Sequence, residues 1–87
     1  MKQVIIGIVS GDESSFRLFY DAYRPKIYTI ALRLSADENI AEDVVQDTFL
    51  KVWINRANLV NIDNIEAWLY IIAKNAILTL LPTLSVM

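Results

Sequence analysis

Cysteine and histidine are absent from the 87 residues, and glycine and proline occur twice each. Without thiols there is no disulfide framework, no thiolate metal site and no thiol nucleophile. Without histidine the chain lacks the usual general base and the commonest metal ligand. Carboxylates alone can do acid–base chemistry, but here they gather at Asp12-Glu13, Asp37-Glu38 and Asp63 to Glu66. Those places precede helical patterns, where acids serve as caps and favour the helix dipole. An enzyme is not expected, and neither a cofactor nor a metal is implied. No apolar run reaches the roughly 18 residues of a membrane-spanning helix. The stretch Met1–Val9 is too short, and too soon interrupted by Ser10-Gly11-Asp12, to be a secretory signal. A cytoplasmic location is expected.

A surplus of positive charge is missing too. Eight basic and ten acidic residues give a net charge of −2, so strong non-specific binding to a polyanion has no support, and any nucleic-acid role must rest on a local patch. Apolar residues are plentiful, at 55%. A chain this short makes one domain with one modest core. The high apolar fraction fits either a tightly packed helical unit or one that rests against a partner.

Both glycines fall before residue 12, and the rest of the chain has helical periodicity with little strand punctuation, so the fold is read as all-α. A short helix is predicted over about 2–9, ending at Ser10-Gly11. Asp12 to Ser15 supply N-cap candidates for a second, in which Phe16, Phe19, Tyr20 and Tyr23 form a stripe at i, i+3, i+4 and i+7. That stripe reads as core packing in preference to a base-stacking platform. Pro25 is expected to break or kink this helix, starting a continuation through Ile27, Ile30, Ala31 and Leu34. Ser35 to Glu38 reads as a turn with caps, and the next helix runs to about residue 55. Asn55 to Asn64, with four asparagines and one aspartate, is the clearest loop. Asp63 or Asn64 then caps a last helix over about 65–81, closed by Pro82.

The third helix has an unusual outer face. Helical angles put Ala41, Val44, Val45, Thr48, Phe49 and Val52 in one broad sector facing a core. Opposite them stand Asp43, Gln46 and Asp47, with Leu50, Trp53 and Ile54 among them. One reading is a core helix with incidental surface hydrophobes. The other is a docking surface for a basic partner, since acids interleaved with Leu and Trp are poorly explained by solvation and Trp is a frequent hot-spot residue.

Four segments in order resemble region 2 of bacterial sigma-70-family factors, specifically the extracytoplasmic-function group. Phe16 to Tyr23 looks like the helix that leads into that group's domain, and Tyr28 to Arg33 followed by Asp37 looks like its next turn. Ala41 to Trp53 is similar to the polymerase-binding helix, and Ala67 to Asn75 resembles the promoter-recognition helix. The likeness covers about residues 11–75. It implies a compact all-α domain of three to four helices over residues 1–82, with the acidic-motif helix packed against the helices on either side. It also implies a transcription initiation factor. Asp43, Gln46, Asp47, Leu50 and Trp53 would dock on a basic coiled coil of the RNA polymerase β′ subunit. The loop would capture a base flipped from the non-template strand of the −10 promoter element, with Asn58, Asn61, Asp63 and Asn64 as pocket candidates, although turn and cap roles account for each of these equally well. Arg56, Tyr70 and Lys74 would stack on DNA or contact its phosphates. Trp68 and Asn75 lie on a neighbouring sector, and Trp68 is assigned to packing. An anti-sigma factor is a further expected partner.

The sequence also departs from that group's pattern. Where the recognition helix usually continues into an aspartate and an arginine, Ala76 to Pro82 follow, with Thr79 and Pro82 near those places. Residues 83–87 read as a short featureless tail, and the sequence stops before the second helix-turn-helix domain of complete members. Such a chain reads as an excised domain, a natural truncation or altered reading frame, or a shortened protein with an adapted tail. The alternative functions are a helical protein–protein interaction module, or a decoy that occupies polymerase without opening a promoter. A membrane-surface role for 65–81 is weaker still, because one lysine makes a poor basic face. A final helix apolar on nearly every side predicts self-association, to be seen in sedimentation at high concentration.

Overall fold

The computed structural model describes residues 1–80, and in it the chain forms α1 (Lys2–Val9), α2 (Glu13–Ser35), α3 (Glu38–Ile54), a 3-10 helix (Arg56–Asn61) and α4 (Ile65–Leu80). No strand occurs among the described residues, so the all-α reading holds. Pro82 and the tail at 83–87 lie outside the described residues.

Polar side chains set the helix boundaries. The Asp12 carboxylate caps α2, accepting from the Ser14 backbone N–H at 3.3 Å and the Ser15 hydroxyl at 2.8 Å. The Ser15 hydrogen bond holds this carboxyl below its ordinary value. Its contribution is therefore present at neutral pH and is lost as pH falls through that depressed value. At the other end of α2, Ala36 adopts the left-handed conformation (φ 57°) and its N–H bonds the Leu32 carbonyl. This turn delivers Asp37 to cap α3, accepting from Asn39 at 2.8 Å and Ile40 at 3.2 Å. Of the two candidates for α4 it is Asn64 that caps, its Oδ1 accepting from the Ala67 N–H at 3.0 Å.

Two local expectations are corrected. Pro25 does not break α2, which runs unbroken through it. An internal proline costs roughly 3 kcal/mol, but Phe19 before it and Ile27 and Ala31 after it are buried on one face, and that packing outweighs the lost hydrogen bond. The segment after Asn55 is not an irregular loop either. It winds into the 3-10 helix because Leu59, only 1% exposed, is drawn into the core.

The predicted inward face of α3 is the observed one: Ala41, Val44, Val45, Thr48, Phe49 and Val52 are all buried. The helix packs between α2 and α4. The Phe49 ring lies 4.7 Å from Tyr20, 6.0 Å from Phe19 and 6.5 Å from Phe16, the last two edge-on. Within the aromatic stripe of α2, Phe19 is buried in the core and Phe16, Tyr20 and Tyr23 pack half-buried against it. On the other side α1 inserts Ile5 and Ile8 against α2 and the 3-10 helix. A Cβ at Gly7 would collide with Ser15 Oγ, so glycine is what lets α1 approach α2 this closely.

One buried group is unsatisfied. Thr48 is fully buried, and its hydroxyl has no hydrogen-bond partner among the described residues. Burying an unpaired hydroxyl costs about 1–3 kcal/mol, so Thr48→Val should raise stability by roughly 1 kcal/mol, read as a higher urea midpoint. A lower midpoint would show that the hydroxyl is satisfied in solution.

Candidate docking groove and nucleic-acid face

The outer face of α3 is built by the same periodicity that buries its inner face. Asp43 and Gln46 are exposed and make no side-chain hydrogen bond within the described residues. Asp47 is partly committed: its carboxylate pairs with Lys51 one turn on, at 3.0 Å. Leu50 is 57% exposed. Trp53 differs from the outward position read from helical angles. It is half-buried, with Phe16 edge-on to its ring at 5.2 Å and the Arg56 guanidinium over its face at 4.4 Å.

Trp53 therefore forms the wall of an open groove of about 1130 Å³ between the first half of α2 and the second half of α3. Gln46, Phe49 and Leu50 come from α3; Phe16, Leu18 and Tyr20 face them from α2, with Glu13, Arg17 and Asp21 around them. Asp43 and Asp47 do not line it, although helix geometry places each one turn from Gln46 or Leu50. The α2 contribution was not foreseen. Its signal is Leu18, a large apolar residue lying off the aromatic stripe and 60% exposed. An apolar floor with exposed leucines from both helices and carboxylates at its margin suits a basic, partly apolar helix.

The residues assigned to nucleic acid fall into two sets. Arg56 donates to the Trp53 carbonyl at 2.9 Å and stacks on that ring. Its charge is held in place with no carboxylate partner among the described residues. Asn58 and Asn61 bond each other, the Asn61 amide donating to Asn58 Oδ1 at 2.9 Å. Asp63 is exposed, and Asn64 spends its carbonyl oxygen on the α4 cap. The second set lies on α4, where Tyr70 (43% exposed) and Lys74 stand one turn apart on the surface. No hydrogen bond joins the two sets within the described residues. Trp68 is half-buried against the core, in keeping with packing, while Asn75 is exposed and its carbonyl accepts from the Thr79 hydroxyl at 3.1 Å. The 3-10 helix packs against α1, and Leu59 is buried in the same core as Ile5 and Ile8 of that helix. On α4, Tyr70, Ile71, Leu78 and Leu80 remain exposed, so the core does not enclose the apolar last helix. No described helix is long and apolar enough to cross a membrane.

Comparison with known proteins adds to this geometry. The family model for sigma-70 region 2 matches residues 19–84. The ECF RNA polymerase sigma factor SigW of Bacillus subtilis is 31% identical over 75 residues, covering 86% of this chain and 40% of that protein. The ECF RNA polymerase sigma factor SigL of Mycobacterium tuberculosis is 32% identical over 75 residues, covering 85% of this chain and 42% of that protein. The chain thus spans about two fifths of the length of these relatives. No solved structure matches it. With a helical fold, an acidic-apolar third helix and a family match over most of its length, this chain belongs to the sigma-70 region 2 family, of the extracytoplasmic-function type.

Proposed function

We propose that this chain is the polymerase-binding, promoter-opening domain of a transcription initiation factor, and that it acts by binding, without catalysis of its own. The single observation that carries this reading is the outer face of α3. Its inner side is buried as a core helix should be, yet Asp43 and Gln46 stand exposed and uncommitted beside an exposed Leu50 and the half-buried Trp53 wall. A basic helix of the β′ coiled coil would lay its apolar side chains on Leu50 and Trp53. Its arginines would meet Asp43 and Gln46 in charge-assisted hydrogen bonds made in a drying interface.

Promoter contact falls to the 3-10 helix and the exposed strip of α4. Extruding a base costs a few kcal/mol, which a pocket and phosphate contacts must offset. The 3-10 helix presents amide groups able to read base edges, and Tyr70 and Lys74 offer a stacking face and a phosphate contact. The Asn58–Asn61 pair must open, or use its remaining donor and acceptor positions, to receive a base.

The test is capture of core polymerase by the immobilised chain. Asp43→Ala and Gln46→Ala should each weaken capture, by at most the roughly 2–5 kcal/mol seen when one partner of a buried polar pair is truncated. Capture unchanged in both variants would remove the docking assignment. Loss of single-stranded −10 binding on mutating Lys74 and the loop asparagines, with capture intact, separates the promoter role from a purely protein-binding one.

A further inference from the structure

The 3-10 helix that carries Arg56, Asn58 and Asn61 has one buried side chain, Leu59. Of the helices it touches, α1 makes the broadest contact, and Ile5 and Ile8 share the core with Leu59. The placement of α1 is in turn set at one residue. The Gly7 carbonyl accepts from the Ser10 hydroxyl at 2.8 Å and from the Asp12 N–H at 2.9 Å, and Asp12 caps α2. Gly7 also faces α2 directly, and the space a Cβ would occupy is filled by Ser15 Oγ and Cβ. Turning the hydroxyl away would leave the Ser15 Cβ in place, so a side chain at position 7 must move the helix. All of α1 precedes residues 19–84, the part matched by the region 2 family model.

These contacts form a mechanical chain. Ser15 sets how closely α1 lies, α1 sets where Leu59 sits, and Leu59 carries the 3-10 helix. A 3-10 helix has poor hydrogen-bond geometry and little stability of its own, so its placement depends on what its buried residue packs against. Capturing an extruded base needs amides already held in place, because ordering them on binding subtracts from affinity. Resting on the promoter-strand reading above, we propose that α1 is a positioning element for the promoter strand, with Gly7, Ile8 and Leu59 as its positioning residues. None of the three touches DNA. They act through Arg56, Asn58 and Asn61, whose approach to the strand they fix. The outer face of α3 does not share this dependence, because α3 is held between α2 and α4.

The test is Gly7→Ala in the full chain, read by amide hydrogen exchange and by fluorescence anisotropy of labelled single-stranded −10 DNA. Alanine raises the helix propensity of α1, so an effect reports where the helix lies and not whether it forms. Exchange should quicken at Asn58 and Ile62, whose N–H groups bond the Asn55 and Leu59 carbonyls, while Val44 to Val52 of α3 stay protected. Strand binding should weaken at least about fivefold, the least that one stacked base contributes, with capture of core polymerase unchanged. Made in a Ser15→Gly chain, where the obstructing side chain is gone, Gly7→Ala should change neither exchange nor binding. Unchanged exchange at Asn58 and Ile62, or equal effects in the two backgrounds, would overturn the proposal. Quickened exchange throughout α3 would also overturn it, by making α1 an ordinary part of the core. Quickened exchange at Asn58 and Ile62 with strand binding intact would remove the 3-10 helix from promoter contact. In that case the promoter-strand reading of this segment falls, and the role given to α1 falls with it.

Discussion

Phe19→Ala should lower folding stability by about 3–5 kcal/mol, the cost of emptying a well-packed aromatic site. Phe19 is completely buried, and its ring meets Tyr23 at 4.9 Å within α2 and Phe49 of α3 at 6.0 Å. The cavity would open at the α2–α3 contact on which the docking groove is built, and no neighbouring side chain can move in without abandoning its own packing. Small domains hold roughly 5–15 kcal/mol in total. At about 4–8 °C per kcal/mol for a domain of this size, the melting midpoint followed by circular dichroism should fall by at least about 12 °C. A fall of only a few degrees would mean that the α2–α3 contact is looser in solution.

Leu50→Ala should do the reverse, leaving the fold intact and damaging docking. Leu50 is exposed on the groove margin, and surface substitutions of this kind stay within about 0.5 kcal/mol of folding stability. At an interface the same side chain, beside Trp53, stands where hot-spot residues cluster, and truncation there costs about 2 kcal/mol or more, roughly thirtyfold in affinity. Asp47→Ala should matter less than Asp43→Ala, because the Lys51 pair already occupies the Asp47 carboxylate and polymerase must compete for it.

Which parts of this architecture could be read from sequence follows from the range of the forces involved. The inner face of α3 was legible residue by residue, because periodic burial is written directly into spacing. The short segments that hold the caps Asp12, Asp37 and Asn64 are legible for the same reason, since caps act within three residues, although spacing alone does not choose Asn64 over Asp63. Pro25 misled because its local preference is real but is outweighed by burial of Phe19, Ile27 and Ala31, which depends on helices elsewhere in the chain. The 3-10 helix went unseen because its asparagines advertise turns, while its anchor, the single Leu59, finds its pocket only once α1 has packed. Trp53 was assigned to the outer face by angle, and only the arrival of Phe16 from α2 and Arg56 from the 3-10 helix turns it into a wall. The α2 side of the docking groove is a product of tertiary packing, which helical periodicity alone does not show.

Isothermal titration of the isolated β′ coiled coil of RNA polymerase with this chain tests the docking claim most directly. Saturable one-to-one binding is predicted, weakened by Asp43→Ala and roughly thirtyfold by Leu50→Ala, with both variants melting as the unmodified chain does. Absence of binding, or equal affinity in the unmodified and Leu50→Ala chains, would contradict it.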